Sequence, residues 1–82
     1  MKRYLTQLDQ GEEGRIVLVE GGHGMQWRLR SLGLVEGQRV RKLSSLVLGG
    51  PLILLVNRAQ VAVGRGMAQR IVVDTDLAQG TG

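Results

Sequence analysis

A chain of 82 residues, 43% hydrophobic, with 13 Gly, one Trp, one Tyr and no Phe, has room for one small domain. The absence of cysteine excludes a disulfide framework, an iron–sulfur cluster, a thiolate zinc site and a cysteine nucleophile, and the single histidine, His23, excludes any centre built on two imidazoles. Lys and Arg number 11 against 7 Asp and Glu, a net charge of +4 that is mildly basic and short of what extensive nucleic-acid contact demands.

The start Met1-Lys2-Arg3 is basic, but Asp9 and the run Gly11-Glu12-Glu13-Gly14 interrupt any apolar segment of a secretory signal. Leu46 to Val56 is the longest near-apolar stretch; it contains Gly49-Gly50-Pro51 and falls well below the ~20 residues of a membrane-spanning helix. The expectation is a cytoplasmic chain that does not insert into a membrane.

Leu5 and Leu8, three apart with Thr6 as a candidate N-cap, predict about one helical turn that ends at Gly11. Arg15 to Glu20 is largely β-branched and predicts a strand on which Ile16 and Leu18 share one face and Val17 and Val19 the other. Gly21-Gly22 stops it. His23 to Leu32 then predicts a helix with Met25, Leu29 and Leu32 as its apolar stripe and Gly33 as its left-handed terminator. Trp27 lies off that stripe, so it is either a lid over an end of the core or an interface anchor.

Gln38 to Leu43 predicts a strand, with Arg39 and Arg41 on one face and Lys42 on the other, and Ser44 to Pro51 a loop or hairpin tip. Leu52-Ile53-Leu54-Leu55-Val56 is a continuous apolar run, as expected of a strand covered on both faces or set in a barrel. Asn57-Arg58 supplies a turn, Gln60 to Val63 the next strand, Arg65 to Gln69 a single helical turn and Arg70 to Asp74 the last strand. Residues 1–76 are thus expected to form one domain and 77–82 a disordered tail. The fold class is mainly β: a small barrel of about five strands, one helix inserted after the first strand and a short helical turn at the N-terminus. Closure of such a barrel hides the edges that a small open sheet would expose.

The order Leu5-x-x-Leu8, Gly11, Gly14-Arg15-Ile16, Arg28-Leu29-x-x-Leu32-Gly33-Leu34-x-x-Gly37-x-x-Val40, Gly50-Pro51, Val61-Ala62-Val63 and Ala68-x-x-Ile71-x-Val73 resembles the FeoA family, ferrous iron transport protein A. The most specific piece is Arg28-Leu29-x-x-Leu32-Gly33-Leu34-x-x-Gly37, and Glu36 stands where members often have Pro. The resemblance implies an SH3-like barrel, a family-level link to transition-metal binding, and action in the cytosol beside FeoB, a membrane GTPase-type ferrous iron transporter. It also relates the chain to the C-terminal SH3-like domain of iron-dependent repressors.

No metal site is expected: His23 with Glu20, or Asp74 with Asp76, falls short of the three or four convergent ligands a transition metal takes. Gly64-Arg65-Gly66 lacks the third glycine of a dinucleotide loop, and no serine has a nucleophile-elbow setting, so neither cofactor binding nor catalysis is expected. Arg28, Arg30, Arg39, Arg41 and Lys42 gather basic charge into residues 28–42, either as solvated surface or as a docking face. Stacking aromatics beside them are too few for a nucleic-acid surface. The Leu46-Val47-Leu48 tip either folds inward or meets another subunit.

The expected function is non-enzymatic: an accessory of ferrous iron uptake that binds the cytosolic part of FeoB through Trp27, Arg28, Arg30, Leu34, Leu46, Val47 and Leu48. Leu29, Leu32, Gly33, Gly37, Gly50 and Pro51 form the structural motif. A regulatory SH3-like domain and a small nucleic-acid-binding barrel are the alternatives, and self-association stays open.

Overall fold

The computed structural model describes residues 1–45 and 50–77. In chain order they form β1 (Lys2–Tyr4), a 3₁₀ turn (Leu5–Gln7), β2 (Glu13–Val19), α1 (His23–Ser31), β3 (Arg39–Ser45), β4 (Leu52–Val56), β5 (Ala59–Val63), α2 (Arg65–Ala68) and β6 (Ile71–Asp74). The strands make one antiparallel sheet in the order β1-β6-β2-β3-β4-β5. It curls around a core of Leu5, Leu8, Ile16, Leu29, Leu34, Val40, Leu52, Leu54, Val56, Val63, Ala68, Ile71 and Val73. Among the described residues no ladder joins β1 to β5, so the barrel is not strictly closed. The 3₁₀ turn packs against α2 and β6.

The mainly β class is as expected, with one strand more than the expected five. Lys2–Tyr4 pairs with the last strand, Arg3 opposite Val73, and α1 therefore follows the second strand instead of the first. Thr6 is not the cap of the opening turn. Tyr4, two residues earlier, holds the N-cap position, and the Gln7 side chain accepts a 2.8 Å bond from the Tyr4 N–H.

In β2 the simple alternation fails. Ile16 faces Val73 and Leu18 faces Val72, so two steps on β2 match one on β6, a bulge at Val17. Ile16 is buried, Leu18 is turned out to solvent and Val19 packs against the core. A second register shift between Lys42 and Ser44 displaces β3 against β4. The apolar run 52–56 does form a strand, with Leu52, Leu54 and Val56 buried and Ile53 and Leu55 half-buried. Its two-residue connection has positive φ at both Asn57 (51°) and Arg58 (71°), the mirror-image turn that suits strand twist.

Candidate functional site

The most specific stretch of the sequence forms one compact device at the C-terminal end of α1. Leu32 is the C-cap, and Gly33 follows in left-handed backbone at φ 83°. The Leu34 N–H donates to the Leu29 carbonyl at 2.9 Å and the Gly33 N–H to Arg30 at 2.9 Å, the paired bonds of a Schellman motif. Leu29 and Leu34, the two residues that this motif brings into apolar contact, are both buried. A second turn follows at once: Gln38 N–H donates to the Val35 carbonyl at 3.0 Å, with Gly37 at φ 93°. That is a type II turn with Glu36 at its second position, a position proline also suits because its fixed φ fits there. The Gly37 N–H then donates to the Ile16 carbonyl at 2.7 Å, which joins the loop to β2.

The N-terminal end of α1 is tied down as well. Gln26 Nε2 donates to the Gly21 carbonyl at 3.1 Å and lies 3.4 Å from that of Val19. Helix, loop and the end of β2 together enclose a half-open groove of about 380 Å³, lined by Val19, Gln26, Arg30, Leu34, Val35 and Glu36.

Trp27 lies on α1 between the groove-lining Gln26 and Arg30 in sequence, is not itself part of the lining, and is 67% exposed. Among the described residues it is not one of the partly buried side chains packed against the core, which favours the interface reading of its position over the lid. Arg28 and Arg30 are exposed and form no ion pair among the described residues. Leu34 is buried and reaches a partner only as part of the groove lining. Leu46, Val47 and Leu48 lie outside the described residues. Gly50 and Pro51 are half-buried just before β4.

The remaining basic residues do not extend this surface as a block. Arg41 pairs with Glu13 across the β2–β3 ladder at 3.1 Å. Arg39 is exposed opposite Arg15. Lys42 points inward, as the strand alternation predicts, and is buried. An exposed apolar row missed by sequence reasoning crosses the outer sheet face: Tyr4 and Leu18 both stand opposite half-buried Val72. Leu18 reaches it only because of the bulge, which leaves no periodic signal in the sequence.

Among the described residues no group of three or more His, Asp and Glu is placed to hold a metal ion. His23 is exposed at the start of α1, and Glu20 accepts from the Tyr4 hydroxyl at 3.4 Å. Asp74 accepts from the Asp76 N–H at 3.0 Å and pairs with the Met1 ammonium at 3.1 Å. These bonds, that from Asp76 foremost, hold the Asp74 carboxyl below its ordinary value of 3.8. No helix of the described residues is long and apolar enough to cross a membrane.

Comparison with known proteins agrees with this anatomy. The model of the FeoA domain family matches residues 3–75. A protein of Methanocaldococcus jannaschii described as a putative Fe(2+) transport protein A is 31% identical over 65 residues, 79% of this chain and 77% of its own. The crystal structure of an iron uptake regulatory protein, FeoA, superposes with a TM-score of 0.84 at 34% identity, covering 90% of this chain and 97% of that one. Stenotrophomonas maltophilia FeoA, solved with zinc and described as a prokaryotic SH3 domain protein, gives 0.73 at 32% identity over 90% and 89%. A manganese-dependent transcriptional repressor shares the fold alone, with a TM-score of 0.81 at 24% identity over 90% of this chain and 41% of its own. With the helix-end device, the strand order and a family match over nearly its whole length in agreement, the chain belongs to the FeoA family of ferrous iron transport accessory proteins and has its SH3-like fold.

Proposed function

We propose that the protein is a non-enzymatic accessory of ferrous iron uptake that docks in the cytoplasm onto the cytosolic part of a FeoB-type transporter through the exposed side of α1. The observation that carries this reading is Trp27, 67% exposed on the helix whose Gln26 and Arg30 line the groove, with Arg28 and Arg30 exposed near it and in no ion pair among the described residues. Tryptophan and arginine are the side chains most enriched among residues that dominate binding energy. A solvated surface gains nothing from an indole held in water, whereas a partner that covers it recovers the burial of a large apolar ring. Leu34 and Val35 in the groove supply apolar contact beside it, and the arginines select an acidic rim.

Docking modulates the transporter by binding one of its conformations more tightly than the others, since a ligand shifts an equilibrium only by its differential affinity. Iron chemistry belongs to the partner in this reading. The likeness to the repressor is one of fold, and no feature of α1 or of the groove favours a regulatory-domain reading over docking on a transporter.

Calorimetric titration of the full chain with the transporter's cytosolic domain, with and without guanine nucleotide, tests the proposal. Saturable binding that Trp27→Ala weakens supports it. Absence of binding at ~100 μM partner, where a complex with a Kd of ~10 μM is mostly formed, contradicts it.

A further inference from the structure

The sheet ends on two edges of opposite character. β1 is three residues long and carries Lys2 and Arg3, the short charged edge that resists pairing with another chain. β5, Ala-Gln-Val-Ala-Val from Ala59 to Val63, has neither charge nor proline. On its side away from β4 no strand is paired among the described residues.

The hairpin register determines which backbone groups that edge offers. Residues that flank a two-residue hairpin turn form a hydrogen-bonded pair, so Val56 with Ala59, Leu54 with Val61 and Leu52 with Val63 bond within the hairpin. Gln60 and Ala62 fall between them and turn their N–H and C=O groups outward. Both residues are exposed, and neither takes part in a turn or loop backbone hydrogen bond of the described residues.

We propose that this edge pairs with β5 of a second copy of the chain, antiparallel about a two-fold axis through Val61. In that register Gln60 stands opposite Ala62 of the second copy, and Ala62 opposite its Gln60. These are the positions with free backbone groups, and each pair exchanges both an N–H and a C=O bond. Val61 meets itself across the axis, and Ala59 meets Val63. A slip of one residue sets outward groups against inward ones, and a slip of two loses one of the bonded pairs.

Charge and symmetry favour a second copy over a foreign strand. The edge carries no charge with which to select a partner, and its free groups are complementary to themselves. The two-fold contact uses the same strand in both copies and so closes at the dimer, whereas β1-to-β5 pairing would leave a free edge at each end and continue as a filament. Pairing also covers the uncharged edge that β5 presents among the described residues. β5 and α1 are separate elements, so this association and the docking proposed above stand or fall independently.

Sedimentation equilibrium on the full chain from ~10 μM to ~1 mM tests the inference, over the range in which a weak symmetric dimer forms. The expected result is a reversible monomer–dimer equilibrium. The double variant Gln60→Lys, Ala62→Lys brings like charges from both copies together across the axis and raises the dissociation constant at least tenfold. The double variant Gln60→Glu, Ala62→Lys sets opposite charges across the axis and restores association to the original strength or beyond. Both positions are exposed, so the circular dichroism spectrum and melting temperature report a folded monomer in each case. A chain that stays monomeric to ~1 mM, a dimer indifferent to the lysine pair, or a charge-matched variant no tighter than the lysine pair overturns the inference.

Discussion

The Lys42 ammonium lies inside the sheet and donates a 2.7 Å hydrogen bond to the Leu8 carbonyl, although the two residues are 34 apart in sequence. Leu8 caps the 3₁₀ turn, and its carbonyl is left without a helical partner there. Backbone bonds hold the same place: Gly11 N–H donates to the Lys42 carbonyl at 2.7 Å, and Lys42 N–H to the Glu12 carbonyl at 3.0 Å. The lysine therefore joins the loop before β2 to β3. Lys42→Ala loses this bond and the packing of the aliphatic stem, and is expected to lower unfolding free energy by about 2–3 kcal/mol in urea titration. Lys42→Met keeps most of the packing and lowers it by ~1 kcal/mol.

The glycines differ in what they tolerate. A Cβ on Gly14 would lie 2.9 Å from the Val73 Cβ, inside the sheet where neither strand can move away, so Gly14→Ala is expected to cost ~1–3 kcal/mol by overpacking. At Gly33 the nearest atom is Val56 Cγ1 at 3.6 Å, so there is room, and the cost of Gly33→Ala is that of left-handed backbone, ~1–2 kcal/mol. Arg58 poses the opposite problem. It occupies a positive-φ position of the β4–β5 hairpin that glycine fills without strain, and Arg58→Gly is expected to raise the thermal midpoint, with a gain of up to ~1 kcal/mol.

The parts of the fold legible in the sequence are those determined by nearby residues. The span of α1, its stop at Gly33, the turn at Asn57-Arg58 and the short helix after Gly64 all follow from local propensity and capping. β1 is invisible at that level: Lys-Arg-Tyr has no periodicity, and it becomes a strand because β6, about 70 residues later, offers it a free edge. The bulge at Val17 is set by two neighbouring strands, so the outward turn of Leu18 could not be read from β2 alone. The same limit applies to the candidate site. Its motif, from Leu29 to Gly37, was legible because it is one continuous helix end, but the exposure of Trp27 depends on what the rest of the chain fails to cover.

Asp74 links the ends of the described chain, through the Asp76 N–H, the Met1 ammonium and the nearby charge of Lys2. Its folded value is lowered, so its contribution to stability is complete above the ordinary value of 3.8 and is lost as pH falls through the lowered folded value. Asp74→Asn should therefore change stability at neutral pH and make no difference at a pH below both values. Carboxyl carbon chemical shifts followed through an acid titration check the direction: the Asp74 midpoint should fall below 3.8.

If Arg28 and Arg30 face an acidic rim, the association rate should fall as salt rises, because exposed charges separated by more than the ~8 Å Debye length of physiological buffer are largely screened. Arg28→Glu and Arg30→Glu should each slow association at low salt and lower the melting temperature only slightly, since neither residue forms an ion pair among the described residues and each substitution places a negative charge in the last turn of α1. Arg39→Glu, on β3, should have the smaller effect. Stopped-flow measurements at several salt concentrations distinguish the three.

The central claim is that Trp27 is covered when the transporter's cytosolic domain binds. Trp27 is the sole tryptophan, so the chain labelled with 5-fluorotryptophan gives one fluorine resonance that reports on this position alone. Addition of the partner domain should shift and broaden that resonance with the same saturation curve as binding, and Trp27→Ala should weaken the complex at least tenfold, as removal of a central anchor costs ~2 kcal/mol or more. A resonance that stays at its free position while the partner is demonstrably bound would contradict the account, because the complex would then use a face other than α1.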